Sequence, residues 1–327
     1  MKAAIHETYG APGRVVEIRD LEKPDPAPDE VLVRIRAASV NISDWYEVTG
    51  RPWIARGSMG FRRPRETRVG ADYAGVVEAV GGDVTEFRPG DEVFGGRTGA
   101  CAEYVVAKAD RAIARKPENV TFEQAASVAV AATTALQAIR DQGKLEPGQR
   151  VLVHGASGGV GTYAVQIAKA LGGHVTAVCG PRSIELARSL GADEVVDYTH
   201  EDVTRSDRRF DLAIDIAGTR SFRQLRRVLS PTATVVVVGG KRANRLLGPI
   251  AHVAGCKIGA LFVSQNATFF LAKLNKADME ALRELLEAGK LTSAVDDVFP
   301  FERVAEALEH MGGGHPRGKI VVTLPGA

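Results

Sequence analysis

Val151-Leu152-Val153-His154-Gly155-Ala156-Ser157-Gly158-Gly159-Val160-Gly161 runs from an apolar stretch into a cluster of small residues, and the helix-like Thr162–Lys169 follows. Small residues at this spacing suit a turn that cradles a dinucleotide pyrophosphate. The turn itself must be tight, Gly158 lets the backbone approach the phosphates, and Gly161 permits close packing of helix on strand. Ala156 stands where the usual pattern has its first glycine, with Gly155 just upstream. The helix start adds unpaired N–H groups and a partial positive charge. Gly155, Ala156, Ser157, Gly158, Gly159 and Val160 are therefore the candidate phosphate contacts.

The end of the next apolar run decides which dinucleotide fits. An NAD site places an acid there, about 20 residues on, to hold the ribose hydroxyls. This chain has Cys179, then Gly180-Pro181-Arg182-Ser183, and no acid before Glu185. A carboxylate at that point would repel a 2′-phosphate by about 3 kcal/mol per charge at ~5 Å and an effective dielectric of 20. Its absence, with Arg182 and Ser183 in place, favours NADPH; the plainer reading of Arg182 is a solvated helix start.

Elements of two textures must position these residues. Up to about residue 122 the chain is made of short β-rich runs: Lys2–His6, Arg14–Arg19, Val31–Ala37, Gly75–Val80 and Ala102–Ala107. They are punctuated by Pro24-Asp25-Pro26-Ala27-Pro28 and Pro89-Gly90-Asp91, the pattern of an antiparallel barrel or sandwich. Beyond it an Ala-rich helix over 123–140 leads into strands at 150–154, 174–179, 194–197, 212–216 and 234–238. Helices at 159–171, 183–190 and 222–229 alternate with them. That order predicts a doubly wound parallel sheet covered by helices. Cys256–Val263 reads as a further apolar strand at the end of this sheet. The tail holds helices at 278–287 and 301–310 and a closing strand at 319–324. The expected domains are 1–122, 123–263 and a C-terminal segment, 264–327, that returns to the first.

Composition narrows the function classes. The 327 residues, 45% hydrophobic and 25% charged, exclude a disordered or fibrous chain. Forty-two Lys and Arg against 40 Asp and Glu leave +2, so no global field favours nucleic acid or a membrane. No apolar run reaches the ~20 residues of a spanning helix. Three widely separated cysteines, Cys101, Cys179 and Cys256, form no disulfide framework and fit a reducing compartment, with the cytoplasm as the default location. Neither a Cys-x-x-Cys nor a His-x-x-x-His pair offers a local zinc signature. His154 and His174 read as ordinary strand-end residues, and Cys101 as an inert packed thiol.

Several further motifs resemble the medium-chain dehydrogenase/reductase superfamily across nearly the whole chain. They are the stretch from Gly70 to Gly81 with Asp72, Gly75 and Glu78, then Pro89-Gly90-Asp91-Glu92-Val93, Thr134-Ala135-Leu136, Gly191-Ala192-Asp193 and Arg317-Gly318-Lys319. Val40-Asn41-Ile42-Ser43-Asp44-Trp45 and Ala217-Gly218 look most like its quinone oxidoreductases, in the reticulon-interacting-protein-like branch. The resemblance implies a GroES-like β-barrel catalytic domain plus a Rossmann cofactor domain, with substrate bound in a cleft between them. It adds Tyr198 at the adenine-ribose end. Strand-end backbone and resemblance together assign Thr134, Val238, Gly239, Phe262 and Val263 to the nicotinamide, with Ala217 and Gly240 in the same cofactor set. A homodimer joined through the edge of the cofactor sheet, at Cys256–Val263, is expected by the same likeness.

The chain departs from the zinc alcohol dehydrogenases where it matters. Asn41 and Ala71 stand in place of the ligand Cys and His, and the four-cysteine lobe is missing, so no bound metal is expected. Zinc polarisation is worth several kcal/mol to hydride transfer. Without it the acceptor should be intrinsically electrophilic: a quinone, another conjugated carbonyl or an activated alkene. Asn41 and Tyr46 are the candidate donors to the developing oxyanion, and Tyr46 with Trp45 reads equally as packing in the cleft wall. Asp44 is either a third catalytic candidate or a helix cap. Alternatives are an enoyl-thioester reductase and a non-catalytic NADPH-binding protein with a structural or regulatory role. Six arginines between Gly50 and Arg68 form either a solvated loop or a lid that contacts an anionic substrate.

Overall fold

The computed structural model describes residues 1–240, 246, 248–313 and 316–324. The chain divides into two compact units, Met1–Thr133 with Lys273–Ala327 and Thr134–Ala272. The junctions fall later in the chain than the boundaries of 122 and 263 read from the sequence.

In the first unit a mainly antiparallel sheet runs, in order, Val295–Pro300, Lys319–Thr323, Glu30–Val40, Asp72–Val80, Glu92–Gly96 and Ile113–Arg115, and Tyr104–Lys108 also pairs Glu30–Val40. Alternating apolar residues such as Val31, Val33 and Ile35 enter its core with Tyr73, Val77 and Val93. The closing strand lies antiparallel to Glu30–Val40, with Ile320 opposite Val40, and Asp72 lies opposite Ser39 on the other side. This register sets Lys319 and Asp72 beside Asn41, which begins helix α1 (Ile42–Thr49). The strand read at Arg14–Arg19 is in part a single helical turn, Pro12–Val15, with proline in its first turn; only Glu17–Asp20 is extended.

The second unit is a six-stranded parallel sheet. We label its strands β1 (Arg150–His154), β2 (His174–Cys179), β3 (Glu194–Asp197), β4 (Phe210–Asp215), β5 (Leu229–Val237) and β6 (Asn266–Phe269). Their order in space is β3-β2-β1-β4-β5-β6, the doubly wound arrangement expected. Val151, Leu152, Val153, Leu212, Ala213 and Ile214 are all fully buried, as strands covered on both faces must be. Helix α2 (Gly159–Ala170) follows β1.

The reading of Cys256–Val263 as a strand is wrong. The segment lies in and just beyond helix α3 (Ile250–Ala260), and the sixth strand is Asn266–Phe269. A short apolar run carries no period that separates a buried strand from a helix. Ile250, Ala254 and Ile258 recur at i+4, and Gly259 sits so close to Phe222 that a Cβ there would lie 2.8 Å from its ring. Small residues let this helix pack on its neighbour; a strand of the same composition would have nothing to fill.

Candidate functional site

The β1–α2 turn has the conformation a phosphate cradle requires. Gly155 takes φ +100°, closed to side chains, and its N–H with that of Ala156 donates to Val178 O at 3.1 and 3.0 Å. Ala156 has ordinary φ and is buried, which is why an alanine is tolerated where the sequence pattern has glycine. A Cβ on Gly161 would lie 2.2 Å from Gly155 O, the close helix–strand contact read from the spacing. A Cβ on Gly158 would meet nothing within 4 Å. The turn is packed on its inner side and open at Gly158, and Ser157, Gly159 and Val160 are half-buried beside that opening.

The other cofactor candidates divide by exposure. Arg182 and Tyr198 are exposed next to Gly180, whereas Cys179 and Ser183 are buried. Burial and nearby Asp197 push the Cys179 thiol up to about 11. Cys179 therefore contributes the lack of an acid, and Arg182 is the cation available to a phosphate. Backbone bonds draw the strand ends together: Ile216 and Ala217 donate to His154 O, and Val238 and Gly239 donate to Asp215 O. Val238, Gly239 and Gly240 are half-buried there, as is Thr134 at the start of the unit. Phe262 and Val263 do not join them. They follow α3, and Phe262 is 81% exposed. Val237 pairs with Phe269, so Phe270 and Leu271, just beyond β6, come level with Val238 and Gly239.

Beneath this edge lies a polar cluster that the sequence reading missed. His154 Nδ1 is 2.7 Å from Asp215 Oδ1, and His252 Nε2 on α3 is 2.6 Å from Asp215 Oδ2. Gly218 N donates to Asp215 Oδ1, and His154 Nε2 is 3.2 Å from Thr219 Oγ1. With Nδ1–H donating to the carboxylate, His154 Nε2 accepts from Thr219. Burial alone would raise Asp215; bonds from His154 and His252 carry it down to about 2 instead. The bond to Asp215, with Cys256 beside it, lifts His252 to about 10. His154 is thus no ordinary strand-end residue. Only a histidine followed by a Gly-rich turn was visible in the sequence; its partners Asp215 and Thr219 lie 61 and 65 positions on and share no local motif. His174, by contrast, is exposed at the start of β2.

In the first unit the three catalytic candidates share one strand–helix junction. Asn41 caps α1, and its N–H donates to Asp44 Oδ2 at 2.6 Å, so Asp44 does cap the helix. Burial pushes the Asp44 carboxyl up to about 8 against the lowering effect of that bond. The Asn41 side chain is buried and engaged: Nδ2 donates to Asp72 Oδ2 at 3.1 Å and Oδ1 accepts from Lys319 Nζ. Lys319 Nζ and Ser39 Oγ also reach Asp72 Oδ2, both at 3.0 Å, and Val130 N donates to Asp72 Oδ1. Lys319 and Asp72, absent from the sequence-derived candidates, form a wholly buried ion pair. Tyr46 is half-buried with Trp45 edge-on at 5.5 Å. Trp45 also lines a cavity of about 270 Å3 with Pro12, Thr49, Arg51 and Glu309. Cys101 is buried and burial pushes its thiol up, in keeping with an inert thiol.

Two family models match the chain. Residues 27–118 match the alcohol dehydrogenase GroES-like domain, and residues 190–322 match the zinc-binding dehydrogenase model. The chain is 35% identical to mouse (Mus musculus) NAD(P)H oxidoreductase RTN4IP1, mitochondrial, over 91% of its own length and 82% of the relative's. The chain belongs to the medium-chain dehydrogenase/reductase superfamily. Within it the likeness is to the quinone oxidoreductases. The chloroplastic quinone-oxidoreductase homolog of Spinacia oleracea is 32% identical over 98% of each chain. The solved quinone oxidoreductase from Coxiella burnetii superposes with a TM-score of 0.85 at 29% identity, over 99% of each chain. This medium-chain dehydrogenase/reductase is accordingly an oxidoreductase with a GroES-like unit and a Rossmann-type sheet. Among the described residues no helix is long and apolar enough to cross a membrane.

Proposed function

We propose that this chain is an NADPH-dependent, zinc-free reductase of quinones or other conjugated carbonyls and activated alkenes. One observation carries the reading: the β1–α2 turn is packed to contact at Gly161 and open at Gly158, the shape of a cradle awaiting phosphate. Bound there, NADPH supplies a hydride. Arg182, exposed after β2 with no acid at Cys179, would hold the 2′-phosphate. Gly155 to Val160 would hold the pyrophosphate, and Tyr198 the adenine-ribose end. Thr134, Ala217 and Val238 to Gly240 would frame the nicotinamide, with Phe270 and Leu271 replacing Phe262 and Val263.

Zinc independence is supported by the junction at Asn41. Its carbonyl oxygen and Asp72 Oδ2 already serve the buried Lys319 ammonium, so the oxygens at this position are neutralised from within the chain. The acceptor must then carry its own electrophilicity. Tyr46 and the second N–H of the Asn41 amide would stabilise the developing oxyanion, and Asp44 has a carboxyl that holds its proton near neutral pH. Three buried free thiols suit a reducing compartment, and the cytoplasm is the proposed location. Copies are proposed to pair through the exposed edge of β6.

Fluorescence titration tests the cofactor reading. NADPH should bind about tenfold more tightly than NADH or better, and Arg182→Ala should erase the difference. Gly158→Ala should leave the melting temperature unchanged and abolish binding of both. Equal affinities in the wild type would overturn the NADPH assignment. A panel of quinones, enones and enoyl thioesters then identifies the acceptor; NADPH bound tightly without oxidation by any of them would replace the reductase with the non-catalytic reading.

A further inference from the structure

The net charge of +2 conceals a polarised chain. Thr134–Ala272 carries 17 Lys and Arg against 11 Asp and Glu, whereas the other unit carries 25 against 29. The excess comes from one stretch: residues 216–272 hold eight Lys or Arg and not one acid. Within this stretch α3 turns an apolar face outward. Ile250 is 46% exposed, Ile258 59%, Leu261 77% and Phe262 81%. These positions fall along one side of the helix and its C-terminal turn, with Ala254 between them. Its opposite side is anchored by buried Cys256, and by Gly259 against Phe222. Isolated exposed apolar residues need no explanation; four large ones on a single helix face do.

Cations border this face. Lys257 is exposed on α3 itself, and Arg223 and Arg227 are exposed on and just after the short helix Phe222–Leu225 that packs against α3. None of the three forms an ion pair with a described residue.

We propose that the protein docks reversibly on an anionic lipid bilayer through the apolar face of α3. A helix that lies in the membrane interface needs large apolar residues on one side, cations around them and no acid to be repelled by lipid phosphate. A second copy of the chain is the poorer occupant, because a two-fold contact would set this acid-free surface against its own cations. The proposal does not rest on the reductase reading, and its test reads vesicle binding rather than turnover.

The experiment is flotation of the full chain with phosphatidylcholine vesicles and with vesicles containing about a third phosphatidylglycerol. Binding is expected to the anionic vesicles alone and to weaken as salt is raised. Arg223→Gln and Arg227→Gln should each lower vesicle affinity about fivefold. Ile258→Glu with Leu261→Glu, both at exposed sites, should abolish binding at an unchanged melting temperature. Equal binding to both vesicle types, no binding to either, or full binding by the Glu variant overturns the proposal. A light-scattering mass that halves in that variant also overturns it, by showing that a second copy covers the face.

Discussion

Asp72 and Asp215 are both fully buried carboxylates at an end of a strand, yet the two units neutralise them by different means. Asp72 accepts from Ser39, Asn41, Val130 and Lys319, the last supplied by the closing strand 247 residues away. Its counter-charge is an ammonium shut into the interior with it. Asp215 accepts from Gly218 and from two histidines, all within its own unit. The first arrangement joins the closing strand to the start of α1. The second ties β1, β4 and α3 together beneath the β1–α2 turn, with His252 as a partner whose charge responds to pH.

The largest expected effect comes from breaking the fixed pair. Lys319→Met leaves Asp72 buried without its cation and should cost about 3–5 kcal/mol, since an uncompensated interior charge is the dominant penalty. Thermal melting measures it, and Lys319→Met with Asp72→Asn should recover much of the loss. Asp215→Asn should cost less, about 1–3 kcal/mol, because His252 can lose its proton in response. Its clearer effect should be on NADPH affinity, read by titration, since Asp215 holds the Gly218 and His252 contacts under the cofactor turn. If Asp215→Asn proves the more damaging of the two, the contrast between the units fails.

Acidity separates them further. His252 is held at about 10, above its ordinary 6.5, so its contribution is whole below pH 6.5 and disappears as pH rises through about 10. Asp215, held at about 2 against 3.8, contributes fully above pH 3.8 and loses this as pH falls through about 2. The gap in melting temperature between wild type and Asp215→Asn should therefore narrow between pH 6.5 and 10; a constant gap would falsify the ion pair. Asp44 gives a pH effect of the opposite sign. Its carboxyl is raised from 3.8 to about 8, so ionisation weakens the wild-type fold progressively across that interval. Asp44→Asn keeps an acceptor for the Asn41 N–H and loses the penalty, so its stability relative to wild type should rise from pH 4 to pH 8 and then level.

Much of the sheet unit was legible because its signals are local. The apolar strand β1, its glycines and the helix after them lie within 21 consecutive residues, and the missing acid at Cys179 is a single position. The same locality failed at α3, where an apolar run without a decisive period was read as a strand, and Phe262 and Val263 went with it. Small residues at 251, 254, 255 and 259 were the signal present in the sequence, and they mark close helix packing only once a neighbour such as Phe222 is known.

Sequence alone determined the family resemblance, the strand–helix alternation of the cofactor unit, the tight turn at Gly155–Gly161 and the residues standing in the zinc-ligand positions. Each follows from residue type at short spacing, where backbone geometry and side-chain size act directly. Tertiary structure alone decided which charges are shared inside the fold. Lys319 and Asn41 are 278 residues apart, and nothing in either neighbourhood specifies the other. The register of the closing strand against Glu30–Val40 brings them together. Likewise His252 meets Asp215 only because α3 packs against the edge of the parallel sheet. A buried carboxylate is tolerated only with its partners in place, and at both Asp72 and Asp215 those partners come from distant chain, beyond the reach of any local pattern.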